Sequence, residues 1–382
     1  MFDKRSEPIN SNRNYHLHQP RIRVFHLARL ECNPYLNLLL RSLESKKIQI
    51  EGGEYNSQSI FFLWQVLAAG KPDIFHIHDI HYFLQGKQEK FDNIIRRQIK
   101  FIIFITQIII LKILGIKIIW TVHEWTDKYT NGQQNILPIW GFILGQIIDA
   151  VITHCHFTQK AIEKVFHLHR SNKVFTIYHG NYLNAYPNKI TTELARHSLE
   201  ISQDKLVFLL FGNIFPSKGF VTAIEEFQKL NEDNFNIFLL VVGKPVNREI
   251  RDLINQKIQN TTNILFIPAQ IPDEEVQTYM NACNCVVLPY QIFTTSGVAI
   301  LAMSFAKACI APNIGYFSEI LDDTGAFLFD TDTSSLFDAM QQSVKQQNYL
   351  AQMGKHNFDK VQQWGWDSVA NATVNIYKSC IK

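Results

Sequence analysis

The amino-acid sequence predicts an α/β protein with two doubly wound, Rossmann-like domains that face each other across a cleft. Short apolar runs alternate with helical patterns along both halves of the chain, which is typical of parallel sheets covered by helices. The 382 residues, 46% of them hydrophobic, suffice for two domains of ordinary size. Residues 1–185 carry 22 Lys and Arg against 14 Asp and Glu, whereas residues 186–382 carry 15 against 20. Balances of +8 and −5 indicate that the two halves bind different ligands.

The first domain is predicted at residues 1–185. Its first strand is expected at 21–27, and Asn33 and Pro34 then open a helix as N-cap and first helical residue. Residues 101–120 have the apolar content of a membrane span, but Gly115 divides them. We therefore expect a helix to residue 114 and a buried strand at 117–122. The basic residues 96–100 leave open whether this helix lies on an anionic membrane or in solvent. Further strands are predicted at 73–78, 150–153 and 174–178, and the strand that begins at 117 reaches His123 at most.

The second domain is predicted at residues 186–363, after a polar linker near 183–200, and residues 364–382 are expected to form a helix that returns to the first domain. Because the carboxyl ends of parallel strands bind ligands in such folds, the cleft between the domains is the expected site. Strands are predicted at 206–211, 236–242, 264–267, 285–288 and 308–311, with helices at 220–230, 248–260 and 298–306.

Cysteines and termini indicate a cytoplasmic protein. The six cysteines contain no C-x-x-C pair and are expected to be inert buried thiols in a reducing compartment. The first twenty residues lack the apolar core of a secretory signal. Peripheral contact with the inner membrane face stays open. The basic residues of the first half are dispersed, so no nucleic-acid partner is expected.

Two segments of the second half suit a phosphate group. Residues 209–219 run from a buried strand into a loop with Gly212, Lys218 and Gly219, which offers backbone N–H groups and one cation; alone, this could also be a surface turn. A second strand ends at Gly243. Residues 294–297, Thr-Thr-Ser-Gly, cap an apolar helix whose start could hold a diphosphate without a metal.

These segments resemble the C-terminal half of a GT-B-fold glycosyltransferase of glycosyltransferase family 4 (group 1). Residues 212–219 are similar to its Gly-Arg-x-x-x-x-Lys-Gly, and residues 288–319 are similar to its Leu-Pro-Ser … Ala-Met-Ala-x-Gly-x-Pro-Val-Ile-Ala … Gly-Gly-x-x-Glu block. Residues 33–35, 73–79, 121–124 and 177–182 resemble strings of its acceptor domain. The likeness extends from about residue 21 to 377.

The resemblance implies a hexosyltransferase that moves a sugar from a nucleotide diphosphate sugar to a saccharide or lipid-linked acceptor, as in polysaccharide biosynthesis. It implies retention of configuration, no bound cofactor and no metal. Lys218 matches the lysine that binds the donor phosphates, and His123 matches a histidine that faces the reacting sugar; these are the expected catalytic residues. Diphosphate contacts are expected from Gly212, Asn213, Lys218, Thr295, Ser296 and Gly297, and nucleotide contacts from Gly243, Pro268 and Glu319. The acceptor side of the cleft is expected to include His78, Asp79, Glu124, His179 and Gly180.

The sequence departs from the family pattern at the donor site. Asn213 replaces the arginine of the phosphate loop, and the family's two glutamates, eight positions apart, fall on Phe293 and Leu301. The run Thr-Thr-Ser-Gly resembles a subgroup with Thr-Ser-Gly in place of the first glutamate. Glu319 is a candidate for the ribose contact. An inverting enzyme with Asp79 or Glu124 as base, and a non-catalytic glycosyltransferase-like subunit, both stay open.

Histidines are concentrated in the first half. His76, His78, Asp79 and His81 could together bind a metal, but we expect a strand end that lines the cleft. His123 and Glu124 end a buried strand, where a polar pair indicates function. His179 and Gly180 fit either the cleft or a plain turn. We expect solvated loop positions for His154 and His156.

Overall fold

The computed structural model describes residues 21–28, 34–54, 61–78, 80, 94–124, 138–168, 171–232, 236–330 and 335–382. Within these residues the chain forms two six-stranded sheets, one in each half, with helices packed around them. Neighbouring strands are parallel in both sheets. The predicted fold class is therefore confirmed.

The first sheet has the strand order β2-β1-β3-β4-β5-β6. Its strands are β1 (Arg23–Ala28), β2 (Gln49–Glu54), β3 (Ile74–Ile77), β4 (Lys117–Thr121), β5 (Ala150–Thr153) and β6 (Val174–Thr176). The helices of this half are α1 (Pro34–Ser45), α2 (Leu63–Ala68), α3 (Ile94–Ile113), α4 (Pro138–Ile147) and α5 (His156–Val165). Sequence patterning did not predict β2, because its sequence Gln-Ile-Glu-Gly-Gly-Glu is polar, as edge strands often are.

The second sheet has the order β12-β11-β10-β7-β8-β9. Its strands are β7 (Leu206–Phe211), β8 (Ile237–Val242), β9 (Ile264–Ile267), β10 (Cys285–Val287), β11 (Ala308–Pro312) and β12 (Ala326–Phe329). The helices of the second half are α6 (Thr192–Ser198), α7 (Phe220–Glu232), α8 (Arg248–Ile258), α9 (Val276–Ala282), α10 (Gly297–Ser304), α11 (Tyr316–Ile320), α12 (Leu336–Lys345), α13 (Leu350–Val361) and α14 (Trp366–Ile381). The strands predicted for this half are present. Strand β12, at one edge of the second sheet, was not predicted.

The apolar stretch after residue 94 forms one helix and one strand, as predicted. Helix α3 buries Phe104, Ile108 and Leu111 completely, and Gly115, with a φ of 83°, turns the chain into β4. No helix of the described residues combines the length and the apolar content needed to cross a membrane.

The prediction of a linker over residues 183–200 is wrong for its second part. Thr191 caps α6 by accepting from the Leu194 N–H, and α6 packs against α9. The buried Arg196 guanidinium donates to the carbonyl of Ala282 at 3.0 Å and to Asn284 Oδ1 at 2.7 Å. A polar segment therefore packs into the second half because its charge is satisfied by hydrogen bonds.

The last helix, α14, packs against α1 of the first half. Val369, Val374 and Tyr377 are buried in the same apolar cluster as Val24 and Leu39, on one face of the first sheet. Helix α14, which follows the second half in the sequence, therefore completes the core of the first half.

The described cysteines are free, and four of them, Cys155, Cys283, Cys285 and Cys309, are buried. Burial raises the pKa of each of these thiols, which disfavours the reactive thiolate. Cys380 is partly exposed.

Candidate functional site

Two glycines bring the carboxyl ends of β7 and β8 into direct contact. Gly212 has a φ of 100° and donates its N–H to the Val242 carbonyl at 2.9 Å, and Gly243 has a φ of 150°. A Cβ atom at Gly243 would lie 1.9 Å from the Gly212 carbonyl oxygen, so only glycine fits there. A pocket opens beside them, lined by Tyr186, Phe211, Gly212, Asn213, Gly243, Lys244, Ala269, Gln270, Ile271, Asp273 and Val276. Pro268 precedes this lining and is partly buried.

Lys218 lies at the same strand end as Gly212. It ends a short 3₁₀ turn, and Gly219 follows with a φ of 67°. The Lys218 ammonium lies 5.1 Å from the centroid of the Tyr290 ring, a cation–π distance, and 3.7 Å from where a Gly212 Cβ would be. The structure therefore places a half-buried cation over the loop, while Asn213 is exposed.

Helix α10 begins next to this loop. Ser296 is its N-cap and accepts from the Ala299 N–H at 3.2 Å, and a Gly212 Cβ would lie 3.2 Å from Val298 Cγ2. Thr295 and Gly297 are half-buried at the same helix start. A helix N-terminus, a lysine and a glycine turn thus converge, and such an arrangement favours an anion.

The two positions that match the family's glutamates are apolar in their packing as well as in their chemistry. Phe293 packs on Phe317, with ring centroids 4.5 Å apart, and Leu301 is buried in the core cluster of the second half. Neither side chain can contact a ribose or sugar hydroxyl through a hydrogen bond.

Glu319 connects the two halves of the chain. Its carboxylate accepts hydrogen bonds from the backbone N–H groups of His156, at 2.9 Å, and Phe157, the first two residues of α5. Thr158 adds a second contact between the halves, because its hydroxyl donates to the Thr294 carbonyl at 3.3 Å. The residue expected at the nucleotide therefore caps a helix of the other half in this structure.

Among the described residues, six histidines gather at the carboxyl ends of the first sheet. His26 and His76 are neighbours in the register of β1 and β3, and the others follow the ends of β3, β4, β5 and β6. These are His78, His123, His154 and His179. The ring of Tyr35, from α1, packs among them, with centroids 4.7 Å from His123, 5.3 Å from His154 and 4.8 Å from His179. Sequence spacing could not show this cluster, because strand pairing brings its members together.

Five of these imidazoles are buried, and His123 is half-buried. Burial lowers the pKa of His26 to about 3, of His154 to about 4 and of His179 to about 3. Burial and the neighbouring imidazoles hold the pKa of His76 and His78 well below the usual value. The five buried rings are therefore neutral at pH 7.

The predicted solvated position of His154 is wrong. Its Nδ1–H donates to the Ile177 carbonyl at 2.9 Å, and the Tyr35 ring covers it, whereas His156 is exposed as predicted. His179 is buried too, and its Nδ1–H donates to the Gly180 carbonyl at 2.7 Å.

The remaining acceptor-side residues have different surroundings. A Cβ at Gly180 would lie 2.5 Å from the Trp366 ring, so this glycine allows α14 to pack closely. Glu124 is half-buried beside His123. Asp79 and His81 lie outside the described residues. Within them, possible ligand atoms of His26, His76 and His78 all lie within 4.8 Å of one another.

Two halves, each a parallel sheet with helices around it, define the GT-B architecture. They are joined by the contacts around Glu319 and by the returning helix α14. Residues 191–359, somewhat less than half of the chain, match the family model of glycosyl transferases group 1. The chain is similar to the GDP-mannose:glycolipid 4-beta-D-mannosyltransferase of Xanthomonas campestris pv. campestris, with 28% identity over 160 residues, 41% of this chain and 42% of the relative. It is also similar to the D-inositol 3-phosphate glycosyltransferase of Gordonia bronchialis, with 23% identity over 202 residues, 50% of this chain and 44% of the relative. The chain thus aligns with less than half the length of these relatives.

Solved structures match nearly the whole chain. Sucrose-phosphate synthase from Thermosynechococcus elongatus has a TM-score of 0.73 at 15% identity, over 94% of this chain and 98% of that one. Anabaena HepE in complex with UDP and glucose has a TM-score of 0.69 at 14% identity, over 94% and 100%. The catalytic domain of Arabidopsis thaliana starch synthase IV, bound to ADP and acarbose, has 0.69 at 14%, over 95% and 100%. At these identities the likeness establishes the fold.

Proposed function

We propose that this protein is a glycosyltransferase that moves a hexosyl group from a nucleotide diphosphate sugar to a saccharide or lipid-linked acceptor. The convergence of Lys218, the Gly212 turn and the start of α10 carries the proposal, because these groups can bind a diphosphate without a metal. The match of residues 191–359 to group 1 glycosyl transferases supports it. The proposal is also supported by the UDP and the ADP that two of the similar structures contain.

The chemistry follows from where charge develops. As the sugar leaves, negative charge grows on the diphosphate, and the Lys218 ammonium with the N–H groups of α10 stabilises it. His123 holds the transferred sugar or shares the charge at its anomeric carbon, with retention of configuration. The contacts between the two halves exclude water and limit hydrolysis of the donor.

The test compares Lys218→Ala with Lys229→Ala, a matched loss of an exposed lysine on α7. Calorimetry against UDP, GDP and ADP measures diphosphate affinity, and a donor panel measures transfer. We expect Lys218→Ala to weaken binding roughly tenfold or more and to abolish transfer, with no such effect of Lys229→Ala. Full activity of Lys218→Ala would contradict the diphosphate assignment.

Two alternatives rest on specific observations. Glu124, half-buried beside His123, is the candidate base of an inverting enzyme, and the anomeric configuration of the product separates inversion from retention. The apolar packing of Phe293 and Leu301 favours a non-catalytic subunit. A wild-type protein that binds none of the nucleoside diphosphates would support that alternative.

We also propose that the first half contacts an anionic membrane surface. Helix α3 contacts both α2 and α4, and large apolar side chains of these helices are exposed. They are Phe61 and Trp64 at α2, Ile99, Ile102, Ile109 and Ile113 on α3, and Ile139 and Phe142 on α4. Together with the +8 balance of residues 1–185, this apolar face suits acidic lipids.

Co-sedimentation with vesicles tests this contact. We expect binding to vesicles that contain phosphatidylglycerol, weaker binding to pure phosphatidylcholine, and loss of binding in a Trp64→Ser/Ile102→Ser variant. Leu194→Ser removes an apolar side chain of the second half whose exposure lies between those of Ile102 and Trp64, and it serves as the control. Equal sedimentation of the double variant and the wild type would refute the membrane contact.

A further inference from the structure

Three imidazoles of the histidine cluster form one continuous hydrogen-bonded chain. His26 Nδ1 lies 3.0 Å from His78 Nε2, and His78 Nδ1 lies 3.4 Å from His123 Nε2. The first pair of rings is inclined by 21° with centroids 5.3 Å apart, and the second by 23° with centroids 5.6 Å apart. Short nitrogen distances with such centroid spacings mean that the rings meet edge to edge. The chain runs from the buried interior to the half-buried His123.

A fourth ring, His76, explains why the group is a chain rather than a metal centre. It stacks on the face of His78, with centroids 4.3 Å apart and planes inclined by 29°. An imidazole lone pair lies in the ring plane, so stacked rings do not direct their lone pairs to a common point. Both nitrogens of His76 are also in hydrogen bonds, with Tyr377 Oη at 2.7 Å and Thr121 Oγ1 at 2.8 Å.

The chain has only two possible directions. A neutral imidazole has one N–H donor and one acceptor, so both hydrogen bonds must run the same way. If they run from His26 towards His123, all three rings carry the proton on Nδ1, and a lone pair remains at His26 Nε2. If they run the other way, all three carry it on Nε2, and an N–H remains at that atom. Burial keeps His26 and His78 uncharged in either direction.

The surroundings of His26 select the first direction. Its Nε2 is buried and has no hydrogen-bond partner among the described residues. A buried N–H without an acceptor is rarer than an acceptor without a donor. His154 shows the same preference: its Nδ1–H must donate to the Ile177 carbonyl, which leaves a buried Nε2 lone pair without a partner among the described residues.

We propose that His26 and His78 are positioning residues that fix His123 as its neutral Nδ1–H tautomer. His123 then carries its proton on Nδ1, the nitrogen farther from His78, without becoming an imidazolium. Because the N–H dipoles are aligned, each hydrogen bond polarises the next. The part of this inference that concerns transfer rests on the proposed function, whereas the tautomers do not.

Nitrogen NMR of the wild-type protein labelled with ¹⁵N-histidine tests the tautomers directly. The Nε2–H form predominates for imidazoles in water, so three Nδ1–H signals would be distinctive. We expect neutral Nδ1–H rings for His26, His78 and His123 at pH 7.5, each assigned by its loss in a single variant. An Nε2–H signal from any of the three would overturn the proposal, as would stoichiometric Zn²⁺ binding that shifts all three signals.

A matched pair of variants tests the coupling. His26→Leu removes the donor at the far end of the chain, and His154→Leu removes a buried imidazole whose ring centroid is 5.2 Å from that of His123 but which is outside the chain. We expect His26→Leu to let the Nε2–H form of His123 appear, and His154→Leu to retain Nδ1–H. Retention of Nδ1–H in both variants would overturn the positioning role. If His26→Leu does not fold, the wild-type spectrum still decides.

The kinetic arm separates this inference from the proposed function. In His26→Leu we expect kcat of transfer to fall roughly tenfold or more, with the affinity for a nucleoside diphosphate within twofold of wild type. A parallel fall in His154→Leu would indicate general loss of packing and refute the specific role of His26. If the wild type transfers no sugar, the proposed function fails, while the NMR result still tests the chain of imidazoles.

Discussion

Acidification from pH 7.5 to 5.5 is expected to destabilise this protein strongly, because five imidazoles of the described residues are buried and neutral when it is folded. These are His26, His76, His78, His154 and His179. In the unfolded chain their pKa is near 6.5, so at pH 5.5 each takes up a proton that the folded protein does not bind. Since the unfolded state binds more protons, the free energy of unfolding falls as the pH drops below 6.5 and recovers as it rises.

The magnitude follows from the lowered pKa values. One pH unit below 6.5, each buried neutral histidine lowers the free energy of unfolding by about 1.4 kcal/mol, so five lower it by about 7 kcal/mol. This loss is comparable with the entire stability of an ordinary domain, which is about 5–15 kcal/mol.

Urea unfolding followed by tryptophan fluorescence at pH 7.5, 6.5 and 5.5 measures this loss. His154→Leu removes one of the five groups and should reduce the pH-dependent loss by about 1.4 kcal/mol. If the wild type is equally stable at pH 7.5 and 5.5, the imidazoles are not both buried and neutral in the folded protein, and the reasoning fails.

Three further substitutions test single contacts. Glu319→Gln should lower the unfolding free energy by about 1 kcal/mol, because it removes a charge from the N-terminus of α5; thermal unfolding measures it, and an unchanged midpoint would contradict the capping role. Gly243→Ala should weaken binding of nucleoside diphosphates, because its Cβ would lie 1.9 Å from the Gly212 carbonyl oxygen; calorimetry that finds wild-type affinity would show that the turn tolerates a side chain. Tyr377→Phe should cost about 1 kcal/mol in urea unfolding, since it removes the hydroxyl bonded to His76. A fully stable Tyr377→Phe protein would mean that His76 finds another partner.

Sequence patterning predicted the parts of the fold that depend on local signals. Gly115 correctly divided the apolar stretch into α3 and β4, because a residue with positive φ ends a helix wherever it lies. The edge strand β2 was not predicted, since its polar sequence has no continuous apolar run. The edge strand β12 was missed although its four residues are apolar. Residues 192–198 looked like a linker because the burial of Arg196 depends on partners nearly ninety positions away.

The same distinction between local signals and tertiary contacts applies to the candidate site. The sequence alone indicated Gly212, Lys218 and Ser296 as site residues. Each of them lies close to the end of a predicted strand or the start of a predicted helix. The role of Glu319 as a cap for α5 could not be predicted, because it depends on how the two halves meet. The imidazole chain could not be predicted either. Strand pairing and the orientation of each side chain decide which histidine rings come into contact.

The returning helix α14 sets an order of events during protein synthesis. Tyr377, which follows the whole second sheet in the sequence, is fully buried against the first sheet and accepts or donates a hydrogen bond with His76. While the ribosome is still adding these residues, the first half has no Tyr377 to complete its core, although its own strands are already made. The last strand of the second sheet is β12, so this sheet can form before α14 has been synthesised. The half that is translated first is therefore expected to reach its final packing last, against the usual order in which domains fold from the N-terminus.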